Sequence, residues 1–133
     1  MFRFIKNDYG TVNVPEPEYF EAKAAEAIER GEALTLASGK LTKCSGTTKP
    51  TFIALSAVSD SAEEREIAVC RVNGNQQYEV PVSAAPTALV VGAKVTINTP
   101  GTEVTATTTD GVATIVNLCG AKAAGDKIVV RFE

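Results

Sequence analysis

The sequence contains no histidine and no tryptophan. Histidine is the side chain that most often moves protons at neutral pH and a frequent zinc ligand, so its absence takes away the commonest general acid–base chemistry and the usual zinc sets. Cysteine is scarce. Cys44, Cys70 and Cys119 show no Cys-x-x-Cys spacing, and an odd number cannot pair fully within one chain. That pattern suits free, mostly buried thiols in a reducing compartment. No apolar run approaches the roughly 18 residues of a membrane helix. The opening MFRFIKNDYG is not followed by the apolar segment of a secretory signal. Charge of either sign is also modest: a net −3 gives no reason to expect nucleic acid or an anionic membrane as a partner. Gly-x-Ser-x-Gly, phosphate-loop and EF-hand spacings are missing. Gly92-Ala93-Lys94 and Gly125-Asp126-Lys127 are turn signals, because no helix start follows either. Glu63, Glu64 and Glu66 beside Arg65 read as a solvated loop. No catalytic residue, metal site or cofactor is therefore expected, and the chain is not expected to be an enzyme.

What is present is β pattern, written twice. The 133 residues suffice for one domain, and a chain of this size buries roughly two thirds of its unfolded surface without a disulfide or metal staple. The stretch Ala27–Leu41, AIERGEALTLASGKL, has an echo in Ala88–Val104, ALVVGAKVTINTPGTEV. Gly31 matches Gly92, Leu34 and Leu36 match Val95 and Ile97, and Gly39 matches Gly101. Further on, Ala68–Val72 matches Ile128–Phe132 at a near-constant offset. The expected organisation is an N-terminal arm over 1–16 and a single β domain over 17–133. That domain is made of two repeats, about 27–80 and 88–133. The expected fold is mainly β, a small barrel or sandwich built from a duplicated hairpin unit.

Taken along the chain, Phe2, Arg3, Phe4, Ile5 and Lys6 form an alternating stretch closed by an Asn7–Gly10 turn. Two readings stay open for it: an edge strand of the domain, or a contact arm for a neighbour. Residues 17–30 form the helix candidate. Pro17 suits a first helical position, Glu18 and Glu21 suit the positive end of the dipole, and Phe20, Ala24, Ala27 and Ile28 fall on one stripe. An extended segment competes with that helix. Beyond Gly31, Leu34 and Leu36 share a face before a Ser38-Gly39 turn, and Thr51–Leu55 is a short apolar strand. Asp60 and Glu63 suggest one helical turn over 60–65. Alternation places Cys70 on an apolar face, where a thiol stays protonated, and puts Arg71 and Arg131 toward solvent. Asn73-Gly74 predicts a hairpin returning through Tyr78, Val80 and Val82, and Asp110-Gly111 predicts another within the threonine-rich stretch.

The run AIERGEALTLASGKLTKCSGTTKPTFIAL, followed by REIAVCRV, resembles the small decoration, or head-stabilisation, proteins of tailed bacteriophages. The shared features are Gly31-Glu32, the hairpin ending Ser38-Gly39-Lys40-Leu41, the polar loop into Lys49-Pro50-Thr51, and the closing Gly125–Arg131. The resemblance spans about 25–133, and phage head-fibre proteins have a similar opening. It implies a β-rich structural protein made in the host cytoplasm and carried on the outside of the virion's capsid, often as a homotrimer, that stabilises the assembled shell. It also implies that the N-terminal arm contacts the major capsid protein. Phe2, Phe4, Ile5 and Tyr9 would then be apolar anchors, and Arg3 and Lys6 charged partners. The predicted helix after the arm departs from the family pattern. The alternative is an adhesion module of a head fibre or surface protein for glycans, with Tyr9 or Tyr78 as the stacking aromatic.

Overall fold

The computed structural model describes residues 1–7, 15–60 and 65–133. They form ten strands: β1 (Arg3–Asn7), β2 (Glu18–Glu21), β3 (Ala33–Ala37), β4 (Lys40–Lys43), β5 (Phe52–Ala54), β6 (Glu66–Arg71), β7 (Gln76–Pro81), β8 (Lys94–Val95), β9 (Ala113–Asn117) and β10 (Lys127–Arg131). Two five-stranded sheets result, ordered β1-β7-β10-β9-β8 and β2-β6-β5-β3-β4, with every strand pair antiparallel. The fold is a β-sandwich type. Neither sheet closes into a barrel.

The two sheets repeat one strand order. In the second sheet β2, β3, β5 and β6 lie as first, fourth, third, second; in the first sheet β7, β8, β9 and β10 do the same. This is a Greek-key order read from its far end. β4 extends one sheet and β1 the other. Of the positions matched in sequence, Leu34 and Val95 are both buried on equivalent strands, preceded by Gly31 and Gly92 with φ of 79° and 90°, whereas Leu36 is exposed and its match Ile97 is buried beyond β8. β7, which the sequence pattern groups with the first copy, hydrogen-bonds within the other sheet, to β1 and β10.

Two cores follow from the alternation of these strands. On β7, Gln76, Tyr78 and Val80 point inward and Gln77, Glu79 and Pro81 do not. Tyr78 and Val80, with Val95, Ile115, Ile128, Val130 and Phe132, pack against Ala33 and Ile53 of the other sheet and Cys44 just after β4. The other buried side chains of β3 and β5, Leu34, Phe52 and Ala54, face a second core with Ala22, Ile28, Leu41, Val58, Ile67 and Val69. β5 is thus buried along its whole length, as expected of a strand covered on both faces. A bridge between Ala22 and Leu41 draws the two outer strands of this sheet together, so it curls around its own core.

The predicted helix over 17–30 does not form. Residues 18–21 are β2, paired with β6 from Glu18 opposite Val69 to Glu21 opposite Glu66. The segment then turns, with Ala25 at a φ of 56°, and Ile28 exchanges backbone bonds with Val58 at 3.0 and 2.9 Å. Physically, Tyr19 and Glu21 are exposed while Ala22 is buried and Phe20 packs tilted against Phe52, with ring centroids 4.9 Å apart. A period of two wins over a stripe composed largely of alanine, since a helix this short has little stability of its own. No helix is found among the described residues. The helical turn expected over 60–65 falls mostly on residues outside those described.

The Asn73-Gly74 hairpin is also corrected. The turn is real, with Gln76 N–H donating to Asn73 O at 3.1 Å, but it carries the chain from β6 in one sheet to β7 in the other. Asp110-Gly111 is a turn too, yet its flanks do not pair with each other. Thr105 bonds to Thr96 on one side, and Val112 to Val95 on the other. The Ser38-Gly39 turn is a true two-residue hairpin joining β3 and β4, with φ of 51° and 78°, both positive as a type I′ turn requires.

Candidate functional site

The N-terminal stretch is an edge strand. β1 pairs with β7 from Arg3 opposite Glu79 to Asn7 opposite Gln76, with a bulge between Phe4 and Lys6 that leaves Ile5 out of register. Phe2 N–H donates to Gly31 O at 2.7 Å, and the Met1 ammonium donates to the carbonyl of Thr102. The start of the chain is thereby fastened to both sheets. A bulge and two cations are also the devices that protect an edge strand from pairing with another sheet.

The residues expected to serve as anchors part company here. Phe2 is buried, in edge-on contact with Tyr78 at 6.5 Å and tilted against Phe132 at 5.4 Å. Phe4 is half-buried and also packs on Tyr78. Arg3 and Lys6 are exposed and Ile5 is half-exposed. Tyr9 lies outside the described residues. Tyr78 is buried in the core and offers no face to a sugar ring; among the described residues the exposed aromatic is Tyr19.

The electrostatics around β1 are local. Arg3 Nη2 lies 2.8 Å from Glu79 Oε1, and Lys127 Nζ lies 3.4 Å from the same oxygen. Burial works against ionising Glu79, but the bonds from Arg3 and Lys127 outweigh it and hold its carboxyl below the usual range. On the inner side, an apolar cleft of about 320 Å³ is lined by Met1, Phe2, Phe4, Ile53, Leu55 and Cys70, among others. Cys70 is buried and 3.9 Å from the Tyr78 hydroxyl, and burial raises its thiol pKa. Burial likewise pushes Cys44 up to about 11. Both are packing residues, and Cys70 lies where the alternation of β6 places it. No group of metal-ligating side chains occurs among the described residues, and no helix there is long and apolar enough to cross a membrane.

Sequence reasoning missed the opposite edge of the same sheet. Val90 and Val91 are exposed beside Gly92, and Lys94, Thr114 and Arg131 stand in register on adjacent strands. Two adjacent valines directly before a turn glycine were the available signal.

No protein-family model and no curated protein matches this sequence. The likeness found is to a solved structure, and it lies in the fold. One structure it is similar to is the N base of head fibre gp8.5 of bacteriophage phi29, with a TM-score of 0.59 at 15% identity, covering 89% of this chain and 95% of that one.

Proposed function

We propose that this chain is a structural protein of a tailed-phage head. It sits on the outside of the assembled shell, binds the major capsid protein through the exposed side of its N-terminal strand, and acts there as a homotrimer. The observation that carries this reading is the near-full-length fold likeness to a phage head-fibre base. The sequence resemblance to decoration proteins supports it independently. A protein that binds only the assembled shell stabilises it by linkage, and many copies make weak single contacts sufficient. Such a role uses shape and adhesion and needs no reacting group.

Because Phe2 belongs to the core, the contact falls on Ile5 and Lys6 with Arg3 beside them. Purified protein is expected to adsorb to mature shells that lack it. The Ile5→Ser, Lys6→Glu double variant should lose adsorption while keeping the wild-type denaturation midpoint. Adsorption that survives the double change would move the contact elsewhere; no adsorption by wild type would end the shell-binding reading.

The second reading is the base of a projecting fibre, favoured because the similar structure is itself a fibre base. Imaging of decorated shells separates the two: a flush brace adds density at the shell surface, and a fibre base carries density extending outward.

A further inference from the structure

We infer that Asn73 is a site of spontaneous covalent modification: its amide is lost through a cyclic imide with Gly74, and the isoaspartyl product loosens the turn that joins the two sheets. Asn73-Gly74 is the single Asn-Gly pair in the sequence. Glycine carries no side chain beside its nitrogen, so that nitrogen reaches the preceding carboxamide with the least hindrance.

The turn leaves both reacting groups open. Asn73, Gly74 and Asn75 are exposed between β6 and β7. The bonds that hold the turn use other atoms: Asn73 N–H donates to Gln76 Oε1 at 2.8 Å, and Asn73 O accepts from Gln76 N–H at 3.1 Å. The Asn73 carboxamide and the Gly74 N–H have no hydrogen bond among the described residues. Elsewhere the carboxamides are held. Asn98 Nδ2 donates to Glu103 at 3.1 Å, and Asn117 Oδ1 accepts from Cys119 N–H at 2.8 Å. Those two are followed by Thr99 and Leu118, whose side chains crowd the attacking nitrogen. Asn75 precedes Gln76, whose N–H is already bonded.

The chemistry needs only water and is redox-neutral. Gly74 N bonds to Asn73 Cγ, the Cγ–Nδ2 bond breaks, and ammonia leaves with the proton from the Gly74 N–H. Water then opens the five-membered imide at one of its two carbonyls. Opening at Cγ gives aspartate. Opening at the main-chain carbon gives isoaspartate, whose chain runs on through Cβ and Cγ and is one methylene longer. That methylene falls between the N–H and the C=O of residue 73, the two groups that Gln76 holds. Gln76 Oε1 also accepts from the buried Tyr78 hydroxyl at 2.7 Å. A lengthened turn therefore disturbs the main core as well as the surface.

The test is incubation of the folded full chain in mildly alkaline buffer, followed by peptide mapping by mass and by isoaspartate-specific methyl transfer. The tryptic fragment 72–94, released by cleavage after Arg71 and Lys94, should show an amide-to-acid change at Asn73 and split into two isomers. A Cβ at Gly74 meets nothing closer than 3.6 Å, so Gly74→Ala should keep the fold. It should slow the conversion roughly tenfold, about 1.4 kcal/mol of barrier. The purified isoaspartyl form should have a lower urea midpoint than Asn73→Asp, which carries the charge without the added length. Absence of conversion at Asn73 over the time in which a free Val-Asn-Gly-Asn peptide converts overturns the proposal. Earlier conversion at another asparagine, or equal speed in Gly74→Ala, overturns it too. Equal midpoints for the isoaspartyl form and Asn73→Asp would overturn the coupling to the core. None of these outcomes depends on whether the N-terminal edge binds a shell.

Discussion

The Tyr78 hydroxyl donates to Oε1 of Gln76 at 2.7 Å, and the same oxygen accepts from Asn73 N–H at 2.8 Å. Both side chains are buried. One amide oxygen therefore fixes the turn that carries the chain between sheets to the aromatic at the centre of the main core. Gln76→Leu strands two donors at once and should lower stability by about 3 kcal/mol. Tyr78→Phe removes one donor, leaves Gln76 held by Asn73, and should cost about 1 kcal/mol. Urea denaturation checks both; equal losses would mean that the oxygen does not link the two.

Phe2 provides the next expectation. Its ring packs on Tyr78 and Phe132, and its N–H is bonded to Gly31. Phe2→Ala should cost about 3–4 kcal/mol, the usual loss for a buried aromatic. Lys6→Glu, on the exposed side of the same strand, should be close to neutral. If Phe2→Ala were as mild as Lys6→Glu, the start of the chain would be a loose arm and not an edge strand.

The contrast between these two residues shows what the sequence could and could not say. Alternation over Phe2–Lys6 revealed an extended piece, but whether its apolar side meets its own domain or another was left open, because that depends on a partner strand far along the chain. The Ser38-Gly39 hairpin was readable because its residues meet each other locally. Asn73-Gly74 was equally good turn chemistry, yet the sheet that the chain re-enters is chosen by Tyr78 and Val80 packing against Phe132 and Ile128. Residues 17–30 carried both a helical stripe and a strand alternation, and pairing with β6 decided between them. The row Lys94, Thr114, Arg131 was invisible for the same reason: three residues on three strands become neighbours only through register.

Gly111 tests how tightly that second turn is packed. A Cβ placed there would lie 2.2 Å from the carbonyl oxygen of Lys94 and 2.6 Å from the nitrogen of Val95. These are backbone atoms and cannot swing aside. Gly111→Ala should therefore displace the Val112–Val95 bond and cost about 2–3 kcal/mol. Gly74→Ala meets nothing closer than 3.6 Å and should change stability by no more than about 0.5 kcal/mol. Thermal melts of the pair give the comparison, and a neutral Gly111→Ala would show that β8 and the turn can move apart freely.

Glu32 ties stability to pH. Its carboxyl is fully buried, accepts from Glu29 N–H at 2.7 Å through Oε2, and has Lys43 Nζ 3.7 Å from Oε1. Burial raises its pKa above the ordinary 4.5; the Glu29 N–H and Lys43 oppose that shift, and the carboxylates of Glu29 and Glu26 add to it. A raised folded-state pKa means that the folded protein holds this proton more tightly than the unfolded chain does. The resulting stability is fully present below 4.5 and is lost as pH rises through the folded value. Glu32→Gln removes the titration, so its stability relative to wild type should rise with pH across that window and level off above it. Lys43→Ala takes away the compensating cation and should extend the window upward. Denaturation midpoints measured from acid to neutral pH decide the matter: a wild-type-minus-Gln difference that stays flat would mean that Glu32 is as well solvated in the fold as in the free chain.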